Sequence, residues 1–423
     1  MSFSVTHLNA VEVLDSRGRP TLQVSVRLDD GTVADAGVPS GASTGTREAV
    51  ELRDGNQARY GGAGVLTARD HVRGELTELL LSRRWDSLAE ADRAMDEADG
   101  TGTKSRLGAN AIIGCSLALA RATARSANQE VHTWLVPQGV TPRLPVPHFN
   151  VLNGGAHAPN PLDFQEFMIA PLGAPSLAEA IRAGAEVYTA LRKRLRDGGQ
   201  STGLGDEGGF APDITHPEDA LRTIVAAIGD AGYTPGRDGV AIALDPAASE
   251  FRQKDGTYQV AGESLSSSDM ITRYEQIITD FPVWSLEDGL GEDDTEGWQG
   301  LTAALGDRIQ LVGDDNFVTN PAIIRQAIKD GVANAALIKV NQIGTVTETL
   351  EAMALCREAG YAAMVSHRSG ETPDPFIADL AVATGCGQIK SGAPARGERI
   401  AKYNRLLTIA AESELPYGLG NAA

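Results

Sequence analysis

Residues 241–245 read AIALD, 283–287 VWSLE, 309–314 IQLVGD and 335–339 AALIK. Each is a short apolar run that ends in a charged residue. Three end in a carboxylate (Asp245, Glu287, Asp314) and one in an amine (Lys339). A buried strand that finishes in a charged side chain carries that charge to its carboxyl-end rim. Several such strands closed into a barrel would gather the charges into one site.

Outward from these runs, strand-like and helix-like stretches alternate to the end of the chain. Strands are expected near 164–169, 201–205, 240–245, 283–287, 309–314, 335–340, 362–366 and 387–390. Amphipathic helices at 177–196, 217–231, 321–329 and 345–359 separate most of them. The repeated unit predicts a TIM-type α/β barrel over residues 136–423. Its first units are less regular, which leaves room for an inserted or reversed strand near 150–205. Upstream, Leu22, Val24, Val26 and Leu28 alternate on one strand face, and Asp30-Gly31 supplies a hairpin turn. Helical patterns follow at 64–82, 86–97 and 109–126. Residues 1–135 are therefore expected to form an α+β capping domain with an antiparallel sheet. Pro142, Pro145 and Pro147 mark the passage to the barrel.

The 423 residues are 42% hydrophobic and 22% charged, enough for full-sized cores. The net charge of -19 argues against nucleic acid as a partner, because phosphate binding needs a cationic surface. An anionic substrate would have to find its positive charge locally, from metal ions, Lys or Arg. Cys115, Cys356 and Cys386 have neither disulfide nor zinc spacing and read as core residues. The amino terminus shows no basic segment followed by an apolar one, and the most apolar helix is too short to span a bilayer. A cytoplasmic enzyme is the expectation.

Glu166, Glu207, Asp245, Glu287, Asp314, Lys339, His367 and Lys390 all fall at or near expected strand ends. Any one could be a solvated loop charge, but recurrence at one phase of the repeat favours a site. Asp245, Glu287 and Asp314 offer only oxygen ligands, which suit Mg²⁺ better than zinc. A structural set of acids paired with arginine is the alternative. A lysine beside divalent metal suits removal of a weakly acidic proton next to a carboxylate. Cations stabilise the charge that develops, and they also lower the lysine pKa.

With these residues in view, the chain resembles the enolase family over nearly its whole length. The matching segments are LDSRGRPT (14–21), VPSGASTG (38–45), LNGGAHA (152–158), QEFMIAP (165–171), GDEGGFAP (205–212), EDGL (287–290), VGDD (312–315), KVNQIG (339–344), SHRSGET (366–372) and QIKSGAPAR (388–396). Lysine with Mg²⁺ stabilising an enediolate is the known pattern of that superfamily and is taken over as such. The resemblance implies interconversion of 2-phosphoglycerate and phosphoenolpyruvate. Lys339 would be the base at C2. Glu207 would be the acid that helps hydroxide leave C3, supported by Glu166, with His157 and His367 around that end. Asp245, Glu287 and Asp314 would hold the first of two Mg²⁺ ions, and Ser43 would meet the second as a lid residue. Lys390 would clamp the substrate carboxylate, Arg368 and Ser369 would contact the phosphate, and Gln165 of QEF would line the substrate site. A homodimer or higher homo-oligomer is implied, with Arg17 near the interface.

Some surroundings depart from the family pattern. Pro246 follows Asp245, two prolines lie in AHAPNP (156–161), and Pro373 and Pro375 follow HRSGE. Asn316 stands where Leu is usual, and Asp35 where Arg is usual. Proline fixes φ and removes a donor, so these changes could reshape substrate loops. They leave open a specialised paralogue acting on a phosphonate analogue, of the carboxyphosphonoenolpyruvate synthase sort. A racemase-like relative would carry a Lys-x-Lys pair on an early strand, where this chain has QEF and GDEGG. A surface-receptor or structural role would lean on carboxyl-terminal lysines, and the sequence ends Gly420-Asn421-Ala422-Ala423.

Overall fold

The alternation at Leu22, Val24, Val26 and Leu28 becomes the central strand of an antiparallel sheet, with all four side chains buried. In this computed structural model, which describes residues 2–41 and 44–420, β1 (Phe3–Leu14), β2 (Pro20–Leu28), β3 (Val33–Gly37) and β4 (Arg84–Trp85) are ordered β3-β2-β1-β4. Gly31 takes a positive φ of 88° in the β2–β3 turn. Helix Ala109–Ser126 packs on the buried face. Gly114 lets it come close: a Cβ there would lie 2.6 Å from Val24 Cγ2 and 3.0 Å from Val38 Cγ2.

The remaining strands are β5 (Val146–Asn153), β6 (Glu166–Ala170), β7 (Ala241–Asp245), a small outer hairpin of β8 (Tyr258–Val260) and β9 (Glu263–Leu265), β10 (Val283–Glu287), β11 (Gln310–Gly313), β12 (Ala335–Ile338), β13 (Ala362–Ser366) and β14 (Gln388–Lys390). Eight of them close a barrel in the order β10-β11-β12-β13-β14-β5-β6-β7. Six neighbouring pairs are parallel, but β6 runs antiparallel to both β5 and β7. The reversed strand left open by the irregular early units is therefore β6.

Residues 201–205, expected as a strand, are not one; only Leu204 makes an isolated bridge, to Phe210. The missing strand is β5, which the sequence reading passed over as a proline-marked connection. All eight of its residues are buried, so no alternation shows. Its Pro147 sits opposite Ile389 of β14, and His148 packs its ring 5.4 Å from that of Trp284. Polar side chains also fill the barrel elsewhere. Gln310 and Gln388 exchange amide hydrogen bonds of 2.9 and 2.7 Å, and Gln310 reaches Ser285. Among the described residues no helix is long and apolar enough to cross a membrane.

Strand direction sets the site. Asp245, Glu287 and Lys390 are the last residues of β7, β10 and β14, and Asp314 and Lys339 follow directly on β11 and β12. Because β6 is reversed, its first residue, Glu166, reaches the same rim and pairs in register with both Asn153 and Asp245.

Candidate active site

Lys390 is the electrostatic centre of one wall. Its Nζ lies 2.7 and 2.9 Å from the two oxygens of Glu287, 3.3 Å from Glu166 Oε2 and 3.4 Å from Asp245 Oδ2. Burial works against the ammonium, but Glu166, Glu287 and Asp245 hold its pKa well above the ordinary lysine value. Burial and the charge of Asp245 push Glu287 well above the usual carboxylate range.

Lys339 forms the second centre, ion-paired with Asp314 Oδ2. Burial opposes its charged form, and Asp314 more than offsets that, so its pKa is raised. Its position is fixed by its neighbours. Its backbone N–H donates to Thr319 Oγ1 at 2.9 Å, and Thr319 in turn donates to Gln342 Oε1 at 2.7 Å. Gln342 Nε2 donates to Asp314 Oδ1 at 2.8 Å. Asp288, at a positive φ of 41°, accepts from the backbone N–H of Asp314 (2.9 Å) and of Asp315 (3.0 Å). Burial and Asp314 push Asp315 up to about 8.

The opposite wall holds Glu207, His157 and His367. His367 Nε2 lies 3.1 Å from Glu207 Oε2, and Asn150 Nδ2 donates to the same oxygen at 3.0 Å. Arg399 Nη1 lies 2.6 Å from His367 Nδ1. An arginine has only donors to offer, so Nδ1 accepts and the imidazole proton sits on Nε2, facing Glu207. Burial lowers the His367 pKa to about 3, which agrees with a neutral ring. His157 Nδ1 is 3.6 Å from Glu166 and 3.9 Å from Glu207, and its Nε2 is 3.0 Å from Ser369 Oγ. Burial, then the charge of Glu207, drives Glu166 well above the ordinary range, whereas Glu207 is held low against its burial by the two histidines. The two acids are thus driven in opposite directions, Glu166 up and Glu207 down.

Between the walls, Arg368 is forked onto Glu48 at 2.8 and 3.2 Å and also donates to Asn341 Oδ1 at 3.1 Å. Gln165 Oε1 is buried beside the cavity without a partner among the described residues. Of the site residues expected from sequence, the structure brings together Lys339, Glu207, Glu166, His367, His157, Gln165, Arg368, Ser369, Lys390, Asp245 and Asp314 around one small cavity, with Glu287 bonded to Lys390 behind it. Ser43 lies outside the described residues. A larger groove of about 1140 Å³, between helices Leu177–Asp197 and Pro217–Asp230, contains none of them.

The donor set fits divalent cations. The cavity is lined by six acids (Glu166, Glu207, Asp245, Asp288, Asp314, Asp315) and by three cationic side chains (Lys339, Arg368, Lys390). Six carboxyl groups against three cations leave several acids that must either keep a proton or meet a bound cation, and the available ligands are hard oxygens. Asp245, Glu287 and Asp314 end adjacent strands, but each is drawn to a lysine: Glu287 and Asp245 to Lys390, Asp314 to Lys339. The oxygens of Asp288, Asp314 and Asp315 cluster within 4.8 Å of one another, as do the ligand atoms of His157, Glu166 and Glu207.

Sequence reasoning missed Asp288, Asp315, Gln342, Glu48 and Arg399. The first three lie inside segments that were singled out (EDGL, VGDD, KVNQIG), where only one charged residue of each was given a role. Arg399 and Glu48 carry no local signal, because their roles arise from contacts distant in sequence. The departures are local. Ala247 after Pro246 takes a positive φ of 52°, and its N–H donates to Asp245 Oδ1 at 2.9 Å. Asp374, between Pro373 and Pro375, pairs with Arg121 and accepts from Gly37 N at 2.8 Å, which ties this loop to the amino-terminal sheet.

Comparisons with known proteins agree with this geometry. Residues 5–135 match the family model described as "Enolase, N-terminal domain", and residues 141–417 match "Enolase, C-terminal TIM barrel domain". The chain is 56% identical over 400 residues to a protein named Enolase from Rubrobacter xylanophilus, covering 94% of this chain and 92% of that one. It is 55% identical over 405 residues to a protein named Enolase from Acidothermus cellulolyticus, covering 96% and 94%.

Proposed function

The chain belongs to the enolase family, and from that premise we propose that it interconverts 2-phosphoglycerate and phosphoenolpyruvate as a Mg²⁺-dependent carbon–oxygen lyase. The observation that carries this reading is the pairing of two rim lysines with acids of neighbouring strands, facing Glu166 and Glu207, whose acidities are driven in opposite directions. Asp245, Glu287 and Asp314 would hold one Mg²⁺, with Ser43 at a second, and the ions would supply positive charge where negative charge develops on the substrate carboxylate.

Lys339 takes the proton from C2. As long as Asp314 is its ion-pair partner the amine stays protonated; were Asp314 engaged by a bound cation instead, the lysine pKa would fall and the neutral amine could accept a proton. Lys390 and its acids form a rigid platform for the substrate carboxylate, with Gln165 beside it. Across the cavity the Glu166–Glu207 pair holds one proton in excess of a fully ionised pair. Glu166 passes that proton to Glu207, which gives it to the hydroxyl leaving C3, and neutral His367 and His157 keep the pair oriented. Water departs as the C2–C3 double bond forms. Arg368 and Ser369 anchor the phosphate.

Similarity at this level over nearly the whole chain does not favour a paralogue specialised for phosphonates, and the intact charged set does not favour a non-catalytic receptor. A homodimer and a cytoplasmic location belong to the same proposal. Steady-state turnover of 2-phosphoglycerate with Mg²⁺, repeated with a chelator and with Lys339→Ala, tests it. Turnover lost in both arms is expected, and a well-folded wild type without turnover would refute it.

A further inference from the structure

The guanidinium of Arg368 is engaged by a carboxylate of the protein itself. Nη1 and Nη2 each donate to one oxygen of Glu48, at 2.8 and 3.2 Å, and the two side chains are only 3% and 8% exposed. This is the planar fork geometry by which arginine also meets a phosphoryl group. A carboxylate and a phosphoryl dianion on the same fork would repel each other across a few ångströms of poorly screened interior. Glu48 is held from two further sides. Gly45 N donates to its Oε1 at 3.1 Å, and Gln342 Nε2 lies 3.2 Å from the same oxygen. The same Gln342 nitrogen donates to Asp314 Oδ1, so one amide links Glu48 to the acid that holds Lys339.

We propose that Glu48 is an internal competitor for the phosphoryl group at Arg368, a positioning residue that sets which anions the site admits. It satisfies the buried guanidinium and yields it to an incoming dianion, which outmatches a single carboxylate charge. A monoanionic group on the same carbon skeleton gains too little from Arg368 to displace it. Release of Glu48 also frees Gln342 and Gly45 N, so that phosphoryl binding is felt at Asp314 and at the segment that follows Gly45. The inference rests on the reading above, in which Arg368 takes the phosphoryl group.

The test uses the Mg²⁺-loaded full chain and Glu48→Gln, which removes the charge and keeps the shape. KM and kcat are measured for 2-phosphoglycerate, and Kd for inorganic phosphate by calorimetry. KM and the phosphate Kd are both expected to fall roughly five- to tenfold, the lower end of typical coupling strengths, while kcat does not rise in proportion. An unchanged or raised phosphate Kd in the folded variant would overturn the proposal and leave Glu48 as a mere orienter of Arg368. Should Glu48→Gln not fold, Glu48→Asp, whose carboxylate is retracted by one methylene, is expected to tighten phosphate binding too, and failure to do so is equally decisive. Phosphate tightening in a protein that does not turn over 2-phosphoglycerate would count against the proposed activity and for the competitor. Normal turnover without tightening would count against the competitor alone.

Discussion

Asp92 lies fully buried where helix Leu88–Asp99 of the amino-terminal domain meets helix Val346–Glu358 of the barrel. Its Oδ2 accepts from Thr347 N at 3.1 Å and Thr347 Oγ1 at 2.6 Å, whereas Oδ1 has no hydrogen-bond partner among the described residues. Burial raises its pKa from the ordinary 3.8 to about 7. The folded protein therefore keeps a proton that the unfolded chain releases near pH 4, and stability is lost as pH rises from about 4 to about 7. A shift of roughly three units corresponds to a penalty of about 4 kcal/mol above pH 7, an upper figure. Asp92→Asn removes that penalty but places an amide N–H₂ against the unpartnered side, at a cost of about 1–2 kcal/mol. At pH 8 the variant should be more stable by about 2–3 kcal/mol, and at pH 4.5 equal or slightly less stable. Urea unfolding at both pH values reads the difference through the midpoint at constant m. Asp96, raised to about 6, is one of the charges that raise Asp92, so the substitution also relieves that repulsion, in the same direction and again more at pH 8 than at pH 4.5. A variant advantage that is equal at both pH values, or larger at the acidic one, would refute the reasoning.

Lys390→Met should strip the counter-charge from Glu166, Asp245 and Glu287 and cost about 3–5 kcal/mol in the presence of a chelator, with much of the loss restored by Mg²⁺; melting curves with and without the ion check this. Gly114→Ala should cost about 1–3 kcal/mol, because the new Cβ would press on Val24 and Val38, and urea midpoints should show it without a change in KM. Removing Mg²⁺ from the wild type should abolish turnover and lower the melting temperature together, because the same buried acids govern both.

The barrel was legible wherever a strand ended in a charge. Asp245, Glu287, Asp314, Lys339 and Lys390 each mark a strand end, and their convergence follows from closure alone. β5 was not legible, because Pro147, His148 and Asn150 break its apolar run while facing neighbours that only the closed barrel supplies. The reversal of β6 showed only as irregular spacing. Its consequence, Glu166 at the shared rim, needs the register with Asn153 and Asp245. Glu48 and Arg399 were invisible for a different reason. Each acts on a side chain it meets only through tertiary contact, Glu48 on Arg368 and Arg399 on His367. The resemblance to a family supplied roles for the charged residues. The geometry added a neutral His367 and the opposite pulls on the two glutamates, Glu166 up and Glu207 down.

The division of labour between Lys339 and the glutamate pair is tested most directly by hydrogen exchange at C2. With 2-phosphoglycerate in deuterated water and Mg²⁺, the wild type should exchange the C2 hydrogen and Lys339→Ala should not. Glu207→Gln should still exchange it while dehydration falls sharply. A folded Lys339→Ala protein that exchanges C2 at the wild-type rate would contradict the assignment of the base.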